Sequence, residues 1–441
     1  MEVQSKIEQV LKEKILLGVE PSKQNFTRRE ITLPRIKGKA LAVIGMRRAG
    51  KTTFLHQCRT DLITAGRKPE QLLYINLEDE RLFDLAASQL HLIPEIHARL
   101  FPQAAQKSVT LFLDEIQRIP KWEGFVRRLL DTADYEIFLS GSSAKLLSRE
   151  IATSMRGRAW EIAVYPFSFA EFLTHHKQEV PAKPDQLTFK KQLLLDHQFA
   201  RFLKLGGLPE AQPLITSERQ QLLQEYVDVL LLRDVIERHN ISGTVPLRWM
   251  LRRLLSNPGG LFSITKFAAD LKSQGISTSR DSLYELLDHL QDTFLLEAIN
   301  VATDSEKRRQ VNPRKVYPID PTFIPLYDRS GKSNTGHALE TAIFVELKRR
   351  RAEVSYVSNP KGTEVDFLAR YPDGSEALIQ SCASLDAPET VSREVRALEE
   401  ARDTYPHARH YILTLESRLP FPSVPKPIQI LPAWQWMLKK I

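Results

Sequence analysis

The chain contains little cysteine: Cys58 and Cys382 are the only two among its 441 residues. They fit no metal-ligand spacing, and two cysteines argue against a disulfide framework. A reducing cytoplasm is therefore the expected compartment. No stretch approaches 18 uninterrupted apolar residues, and the charged first residues lack the apolar core of a secretory signal. We therefore expect neither a membrane span nor a signal peptide.

The charge is only weakly one-sided. The chain has 62 Lys and Arg against 54 Asp and Glu, which gives a formal net charge of +8. This excess favours a polyanionic partner, but weakly, because the acidic residues dilute it. The length predicts two to four domains, and 42% hydrophobic residues supply enough material for several cores.

Short apolar runs alternate with amphipathic segments from residue 40 onward. The runs ALAVIG, QLLYINL, SVTLFLDE and YEIFLSG are continuous, which is typical of strands covered on both faces of a parallel sheet. Residues 2–20 predict an amphipathic helix, and residues 171–240 are mostly helical by pattern. The sequence therefore predicts an α/β fold with a helical region after the first sheet.

Residues 45–53 fit the pattern G-x-x-x-x-G-K-[ST] between a predicted strand and a predicted helix. Backbone N–H groups of such a loop point at phosphate oxygens, and its glycines permit the turn. We expect Lys51 to reach the β- and γ-phosphates and Thr52 to hold Mg²⁺. The predicted nucleotide-binding residues are Gly45, Arg47, Arg48, Ala49, Gly50, Lys51, Thr52 and Thr53.

A second motif, LFLDE, is an apolar strand that ends in two carboxylates. Asp114 stands where a carboxylate binds Mg²⁺, directly or through water. Glu115 is the candidate base that orients the attacking water. Because this motif follows the phosphate loop at a suitable distance, the two together indicate nucleoside-triphosphate hydrolysis.

Four further residues are weaker candidates near this site. Ser142 follows the fourth predicted strand and is a candidate contact for the γ-phosphate or the water, or else a helix N-cap. Arg156 and Arg158 are candidates for an arginine that acts across a subunit boundary, or else form a solvated basic turn. Asn76 is a candidate restraint on Glu115, although capping of the strand end is the commoner role of such a residue.

These motifs resemble those of a family of prokaryotic AAA-type ATPases that carry a C-terminal domain similar to restriction endonucleases. The resemblance rests on GMRRAGKTT, YINLEDERL, LFLDEIQ, LSGSSAKLLS and the RGR…VYPFSFAEFL run, together with GGLPE and YVDVLLLRDVIERHNI. It extends over nearly the whole chain. It implies ATP and Mg²⁺ as ligands of the phosphate loop.

The resemblance also implies a winged-helix-like unit after a helical lid. The sequence agrees, because residues 261–299 predict two amphipathic helices with a turn at Gly275. The second helix could enter a DNA groove, with Arg280 near its start. Three acidic residues make it a poor DNA-reading helix, and a structural or protein-contact role is the alternative. These are Asp281, Glu285 and Asp288.

Restriction-type nucleases use an acid on a helix, an Asp on a strand, and E-x-K or Q-x-K on the next strand. The carboxylates hold Mg²⁺ and the lysine assists the chemistry. The matching positions of this chain are Glu340, Asp366, Gln380 and Cys382. A neutral thiol cannot replace an ammonium, so we expect a degenerate nuclease fold that binds DNA or a partner. Lys361 is a distant substitute, and the basic run at 348–351 either contacts phosphates or is a solvated helix end.

The sequence thus predicts a P-loop parallel-sheet ATPase with four additional parts. The predicted regions are an N-terminal helix and connector (1–30), the ATPase core (31–170), a helical lid (171–245), the winged-helix-like unit (246–315) and the restriction-endonuclease-like domain (316–441). We expect a homo-oligomer, for example a ring, in which oligomerisation completes the active site. We expect this assembly to couple ATP hydrolysis to DNA binding or remodelling, as a motor or translocase. The alternatives are a nucleotide-switched signalling ATPase whose C-terminal domain binds a protein, and an ATP-gated nuclease.

Overall fold

The computed structural model describes residues 2–21, 25–34, 36–132, 134–141, 155, 157–328, 334–359, 362–417 and 421–439. The chain forms two compact units, Met1–Val164 and Tyr165–Ile441, called unit 1 and unit 2 below. Within the described ranges, no helix is both long and apolar enough to cross a membrane.

Unit 1 is built on a five-stranded parallel sheet in the order β2-β3-β4-β1-β5. Its strands are β1 (Ala40–Ile44), β2 (Leu72–Asn76), β3 (Val109–Asp114), β4 (Tyr135–Ser140) and β5 (Ala159–Ala163). Its helices are α1 (Glu2–Val19), α2 (Lys51–Thr64), α3 (Leu92–Leu100), α4 (Pro102–Ala105) and α5 (Glu123–Thr132). All six residues of β3 are buried, which explains why its sequence is an unbroken apolar run. The predicted parallel sheet is confirmed.

The order of these strands places β4 between β1 and β3. The carboxyl ends of parallel strands meet at one edge of a sheet, so the end of β4 lies between the phosphate loop after β1 and the acids after β3. The predicted N-terminal helix is also confirmed: α1 buries Leu11 and Ile15 completely.

The first part of unit 2 is helical, as the pattern of residues 171–240 predicted. It contains α6 (Phe169–His175), α7 (Phe189–Leu205), α8 (Thr216–Val229) and α9 (Thr244–Ser256). The segment Leu230–Glu237 continues α8 as a π-helix, which the sequence did not predict.

A small antiparallel sheet in the order β6-β8-β7 follows. Its elements in chain order are β6 (Leu261–Phe262), α10 (Ile264–Ser273), α11 (Arg280–Asp292), β7 (Leu296–Ile299), α12 (Glu306–Val311) and β8 (Arg314–Pro318). The Ser279 hydroxyl accepts a 3.0 Å hydrogen bond from the N–H of Ser282 and caps α11. The two helices predicted here are therefore confirmed, together with their boundary.

The second sheet of unit 2 is mixed, in the order β13-β12-β11-β10-β9. Its strands are β9 (Glu353–Ser358), β10 (Glu364–Arg370), β11 (Glu376–Cys382), β12 (Arg409–Thr414) and β13 (Gln429–Pro432), and its helices are α13 (Thr335–Arg349), α14 (Pro388–Arg402) and α15 (Ala433–Leu438). Phe367 stacks near Phe344 of α13, whereas Leu368 packs in a cluster with Leu398 of α14. Adjacent strand residues point to opposite faces, so α13 and α14 cover opposite faces of this sheet.

Candidate active site

The loop between β1 and α2 requires glycine at its first position. Gly45 has a φ of 149°, and a Cβ built on it would lie 2.3 Å from the carbonyl oxygen of Val164. Any side chain at this position would therefore collide with backbone. The loop then turns directly into α2, whose first residue is Lys51 and whose first turn contains no acidic residue. This end of α2 therefore presents N–H groups and a favourable dipole to an anion.

Lys51 is held by the loop that it serves. Its buried Nζ donates 3.0 Å hydrogen bonds to the carbonyl oxygens of Gly45 and Met46. A second cation, Arg29, donates a 2.9 Å hydrogen bond to the carbonyl oxygen of Ala49. The sequence placed Arg29 in the predicted N-terminal helix and connector (1–30), and nothing in the local pattern links it to a loop 20 residues away.

Asp114 is the centre of the site at the end of β3. Its Oδ2 accepts hydrogen bonds from the hydroxyls of Thr52, at 2.8 Å, and Tyr74, at 2.7 Å. Its Oδ1 accepts one from the hydroxyl of Ser140, at the end of β4. Thr52 and Asp114 thus bring two hard oxygen donors together beside the phosphate loop. This donor chemistry fits Mg²⁺, which binds through few protein oxygens together with substrate phosphates and water.

Tyr74 is a functional candidate that sequence analysis did not identify. Burial, and next the charge of Asp114, raise the pKa of Tyr74, so its hydroxyl stays protonated and donates to that carboxylate. The ring of His56 lies 4.5 Å from the ring of Tyr74, and burial lowers the pKa of His56. The available signal was position: Tyr74 lies on β2, which pairs with the strand that carries Asp114.

Glu115 has a left-handed backbone conformation, with a φ of 56°. Its N–H donates a 3.1 Å hydrogen bond to the hydroxyl of Ser140, and its carboxylate accepts one from the amide of Gln117. The Oδ1 of Asn76 instead accepts from the N–H of Glu78 at 2.9 Å. These contacts do not support the idea that Asn76 restrains Glu115. The side-chain amide oxygen of Asn76 accepts a hydrogen bond in the turn after β2, and Glu115 is contacted by Gln117 instead.

The remaining predicted residues are less closely associated with Asp114. Arg47 and Thr53 are partly buried and Arg48 is exposed in the loop. Arg158 lies just before β5 and forms an ion pair with Asp131, at the edge of the sheet opposite the phosphate loop. Ser142 and Arg156 lie outside the described residues.

In unit 2, the predicted acids Glu340 and Asp366 do come together, but around a lysine that was not predicted. The Nζ of Lys315 lies 2.7 Å from Glu364, 3.1 Å from Asp366 and 3.6 Å from Glu340. Sequence analysis looked for a lysine beside Cys382 and at Lys361, which lies outside the described residues. Lys315 was missed because it belongs to β8, 51 residues before Asp366.

Gln380 does not join these acids. It lies on the same face of β11 as Leu378 and Cys382, which pack in the cluster under α14. Its amide group donates to Glu394 of α14 at 2.6 Å and to the carbonyl oxygen of Glu364 at 3.1 Å. The Cys382 thiol donates to the carbonyl oxygen of Ser384, and burial raises its pKa to about 11. The Oε1 of Gln380 accepts a 2.8 Å hydrogen bond from the N–H of Asp366, so Gln380 bonds to the backbone of β10 and to Glu394 rather than to Lys315.

The basic run at the end of α13 is largely used inside unit 2. Lys348 lies 2.7 Å from Glu297, and Arg349 and Arg350 both pair with Glu346. Arg350 also donates to three carbonyl oxygens at the C-terminal end of the chain, Trp436, Met437 and Lys439. These contacts stabilise the fold, and they engage the cationic groups of Lys348, Arg349 and Arg350 that would otherwise be candidates to bind phosphates.

Comparisons with known proteins agree with the site in unit 1. A family model described as an AAA domain matches residues 37–173, and one described as a domain of unknown function, DUF8612, matches residues 196–325. The chain is 34% identical to "Uncharacterized protein MJ1544" of Methanocaldococcus jannaschii, over 97% of this chain and 95% of that protein. It is 28% identical to an "Uncharacterized protein" of Haemophilus influenzae, over 82% and 86% of the two chains.

Among solved structures, the Walker-type ATPase PABY2304 of Pyrococcus abyssi is similar. The sequences are 14% identical, the match covers 73% of this chain and 95% of the other, and the TM-score is 0.41. A similarity of this size carries no information on function. The AAA domain and the geometry of the phosphate loop are the observations that bear on activity.

Proposed function

The chain belongs to the same family as protein MJ1544 of Methanocaldococcus jannaschii and is an ATPase, and we propose that it couples ATP hydrolysis to DNA binding or remodelling. The ATPase is supported by one geometric observation above all. Thr52, at the start of α2, and Asp114, at the end of β3, meet at 2.8 Å beside a loop whose lysine is held by backbone carbonyls.

We assign roles from this geometry. Lys51 exchanges its two carbonyl partners for the β- and γ-phosphates, and the N–H groups at the start of α2 bind phosphate oxygens. Thr52 and Asp114 would hold Mg²⁺, which would supply positive charge beside the phosphates. After Glu115 releases its contact with Gln117, its carboxylate orients the attacking water and accepts a proton from it. Ser140 fixes both acids through one hydroxyl.

The proposed DNA-binding part is a winged helix at residues 246–315. Its element order supports the proposal: a helix, a short strand, two helices and then two antiparallel strands joined by a longer connection. The exposed face of α11 carries Asp281 and Glu285, which disfavour reading of the groove by this helix. The connection between β7 and β8 instead exposes three consecutive cations at 307–309, and we propose that this wing contacts DNA phosphates.

A DNA-binding and ATPase assay tests this proposal. We expect duplex or branched DNA to raise ATP turnover and to bind with an affinity that falls steeply with salt. Replacing Lys307, Arg308 and Arg309 with alanine is expected to lower the affinity about tenfold or more and to reduce the salt slope. The control replaces three exposed lysines of the same unit, Lys183, Lys190 and Lys191. If DNA neither binds nor stimulates the wild-type protein, the DNA proposal fails and a nucleotide-switched protein partner becomes the better candidate.

We further propose that the active site is completed in a homo-oligomer by Arg156 or Arg158. The position of Arg158 at the opposite edge of its own sheet supports action on a neighbouring copy rather than within the chain. Mixtures of Lys51→Ala and Arg158→Ala proteins test this. Recovery of turnover above that of either variant supports a shared site, and strictly additive activity with a monomeric wild-type protein contradicts it.

A further inference from the structure

Three acidic side chains of unit 2 surround one buried ammonium. We call Glu340, Glu364 and Asp366 the carboxylate cluster. Only 3% of the Lys315 side chain is exposed, and its Nζ lies within 3.6 Å of an oxygen of each acid. Burial alone would lower the pKa of Lys315, but Asp366, Glu340 and Glu364 outweigh it and raise that pKa, so the side chain is an ammonium. A cation is thus already present where the three acids converge.

Further donors occupy oxygen atoms of the same cluster. The Oδ2 of Asp366 accepts from the N–H of Ser381 at 2.9 Å and from its hydroxyl at 3.2 Å. The Oε1 of Glu340 accepts from the hydroxyl of Tyr317 at 2.7 Å. Behind this carboxylate lies Gly259, with a φ of 74°, where an added Cβ would approach the same oxygen to 2.7 Å. The protein therefore fixes these acids by its own donors and by close packing.

This donor set does not fit a divalent metal ion. Mg²⁺ needs near-octahedral oxygen ligands at about 2.0–2.1 Å, around a point that no other cation occupies. Here the acids converge on Nζ, and Gln380 turns its amide toward α14. Within the part of the chain that the structure describes, no group of three or more His, Cys, Asp or Glu side chains is arranged to hold a metal ion.

We propose that the ammonium of Lys315 occupies the point at which these acids of unit 2 would otherwise hold a divalent metal ion, so that the carboxylate cluster binds no metal and cuts no DNA. The cluster is then an internal ion-pair node. Lys315 belongs to β8, whereas the acids belong to α13 and β10, so the node joins the small antiparallel sheet to the C-terminal sheet. This proposal does not depend on DNA binding by the wing or on the ATPase.

Removal of the ammonium while the acids remain is the direct test. Binding of Mn²⁺ to the full-length, nucleotide-free protein would be measured by electron paramagnetic resonance and by thermal shift. The variants are Lys315→Met, the double variant Lys315→Met/Asp366→Asn, Asp366→Asn alone, and Lys266→Met, an exposed lysine of the same unit, as matched control. Methionine retains the length of the side chain and removes its charge.

We expect wild type, Asp366→Asn and Lys266→Met to bind Mn²⁺ alike. Lys315→Met should gain about one further ion per chain with micromolar to millimolar affinity, and the gain should disappear in the double variant. Mn²⁺ binding or DNA cleavage by the wild-type protein that Asp366→Asn abolishes would overturn the proposal, as would a folded Lys315→Met that gains no ion. If Lys315→Met does not fold, the Mn²⁺ binding and DNA cleavage of the wild-type protein and of Asp366→Asn are compared. A difference between these two proteins would then overturn the proposal.

Discussion

Each unit contains a buried lysine in a site that also contains acids, and the two lysines are bonded to different kinds of group. In unit 1, the Nζ of Lys51 is bonded to carbonyl oxygens of its own loop, while Asp114 receives three hydroxyl donors. In unit 2, the Nζ of Lys315 lies directly among the acids. Lys51 thus donates to neutral carbonyl oxygens of its loop, whereas Lys315 is paired with acids.

This difference decides what each site can bind. A lysine that is held by neutral carbonyls can move to phosphate oxygens at a small electrostatic cost, and Asp114 remains available to a metal ion. A lysine that is paired with carboxylates in a buried site is costly to displace. If the lysine moves away, the charges of the buried carboxylates are left without a partner. A ready ligand site therefore depends on where the ammonium is held as well as on which residues are present.

The largest expected effect is loss of activity when the lysine of unit 1 is removed. Lys51→Ala deletes the side chain that is proposed to contact two phosphates, so we expect ATP binding to be abolished and turnover to fall on the order of 10³-fold or more. Nucleotide binding and phosphate release measure this. Lys107→Ala, an exposed lysine of the same unit, is the control. If a clean Lys51→Ala preparation turned over ATP as fast as wild type, Lys51 would not be the phosphate-binding lysine, and the contrast with Lys315 would fail.

The second effect separates binding from chemistry in the same site. Glu115→Gln keeps the shape of the side chain but cannot accept a proton, so ATP should bind with nearly unchanged affinity while kcat falls about 10²-fold or more. Single-turnover kinetics and a binding titration measure the two quantities. Glu95→Gln, on the exposed side of α3, should leave both unchanged. Equal loss of affinity and kcat in Glu115→Gln would instead mean that this residue binds nucleotide.

A smaller effect is expected at Ser140. Its loss removes a donor to the charged Asp114, a bond that contributes about 1.5–3 kcal/mol, and the neutral acceptor of the Glu115 N–H, a bond that contributes about 0.5–1.5 kcal/mol. We expect Ser140→Ala to lower kcat about 10- to 100-fold and to raise the Mg²⁺ concentration needed for half-maximal rate. Ser140→Thr retains the hydroxyl and should restore most of the activity. An unchanged Mg²⁺ dependence would argue that Ser140 only supports the fold.

The smallest effect concerns stability in unit 2. Burial and the charge of Asp366 raise the pKa of Glu340 above its ordinary value of 4.5, so the folded state binds this proton more tightly than the unfolded state. The contribution of Glu340 to stability must therefore fall as pH rises above about 4.5. The Tm of wild type relative to Glu340→Gln should decline by a few degrees between pH 5 and pH 8. Exposed Glu285→Gln is the control, and a constant difference across this range would contradict the raised pKa.

Sequence reasoning was most successful where function depends on neighbours along the chain. Gly45, Lys51 and Thr52 belong to one turn, and Asp114 and Glu115 end one apolar strand, so periodicity and motif spacing located them. The same reasoning failed where contacts cross the sheet. Ser140 reaches Asp114 because β4 lies between β1 and β3, and strand order cannot be read from strand positions in the sequence. Tyr74 was missed for the same reason, and Arg29 because its partner Ala49 lies in a loop 20 residues away.

Residue type and spacing were enough to predict the phosphate loop, the pair of acids after β3 and the alternation of strands and helices. They were enough because φ angles, helix dipoles and alternating burial are local consequences of residue type. Only the tertiary structure decided which acids share a cation. The resemblance to nucleases implied a lysine at the position of Cys382, yet β8 brings Lys315 to Glu364 and Asp366 from another sheet. Electrostatic pairing acts through space, and a search along one strand could not find it.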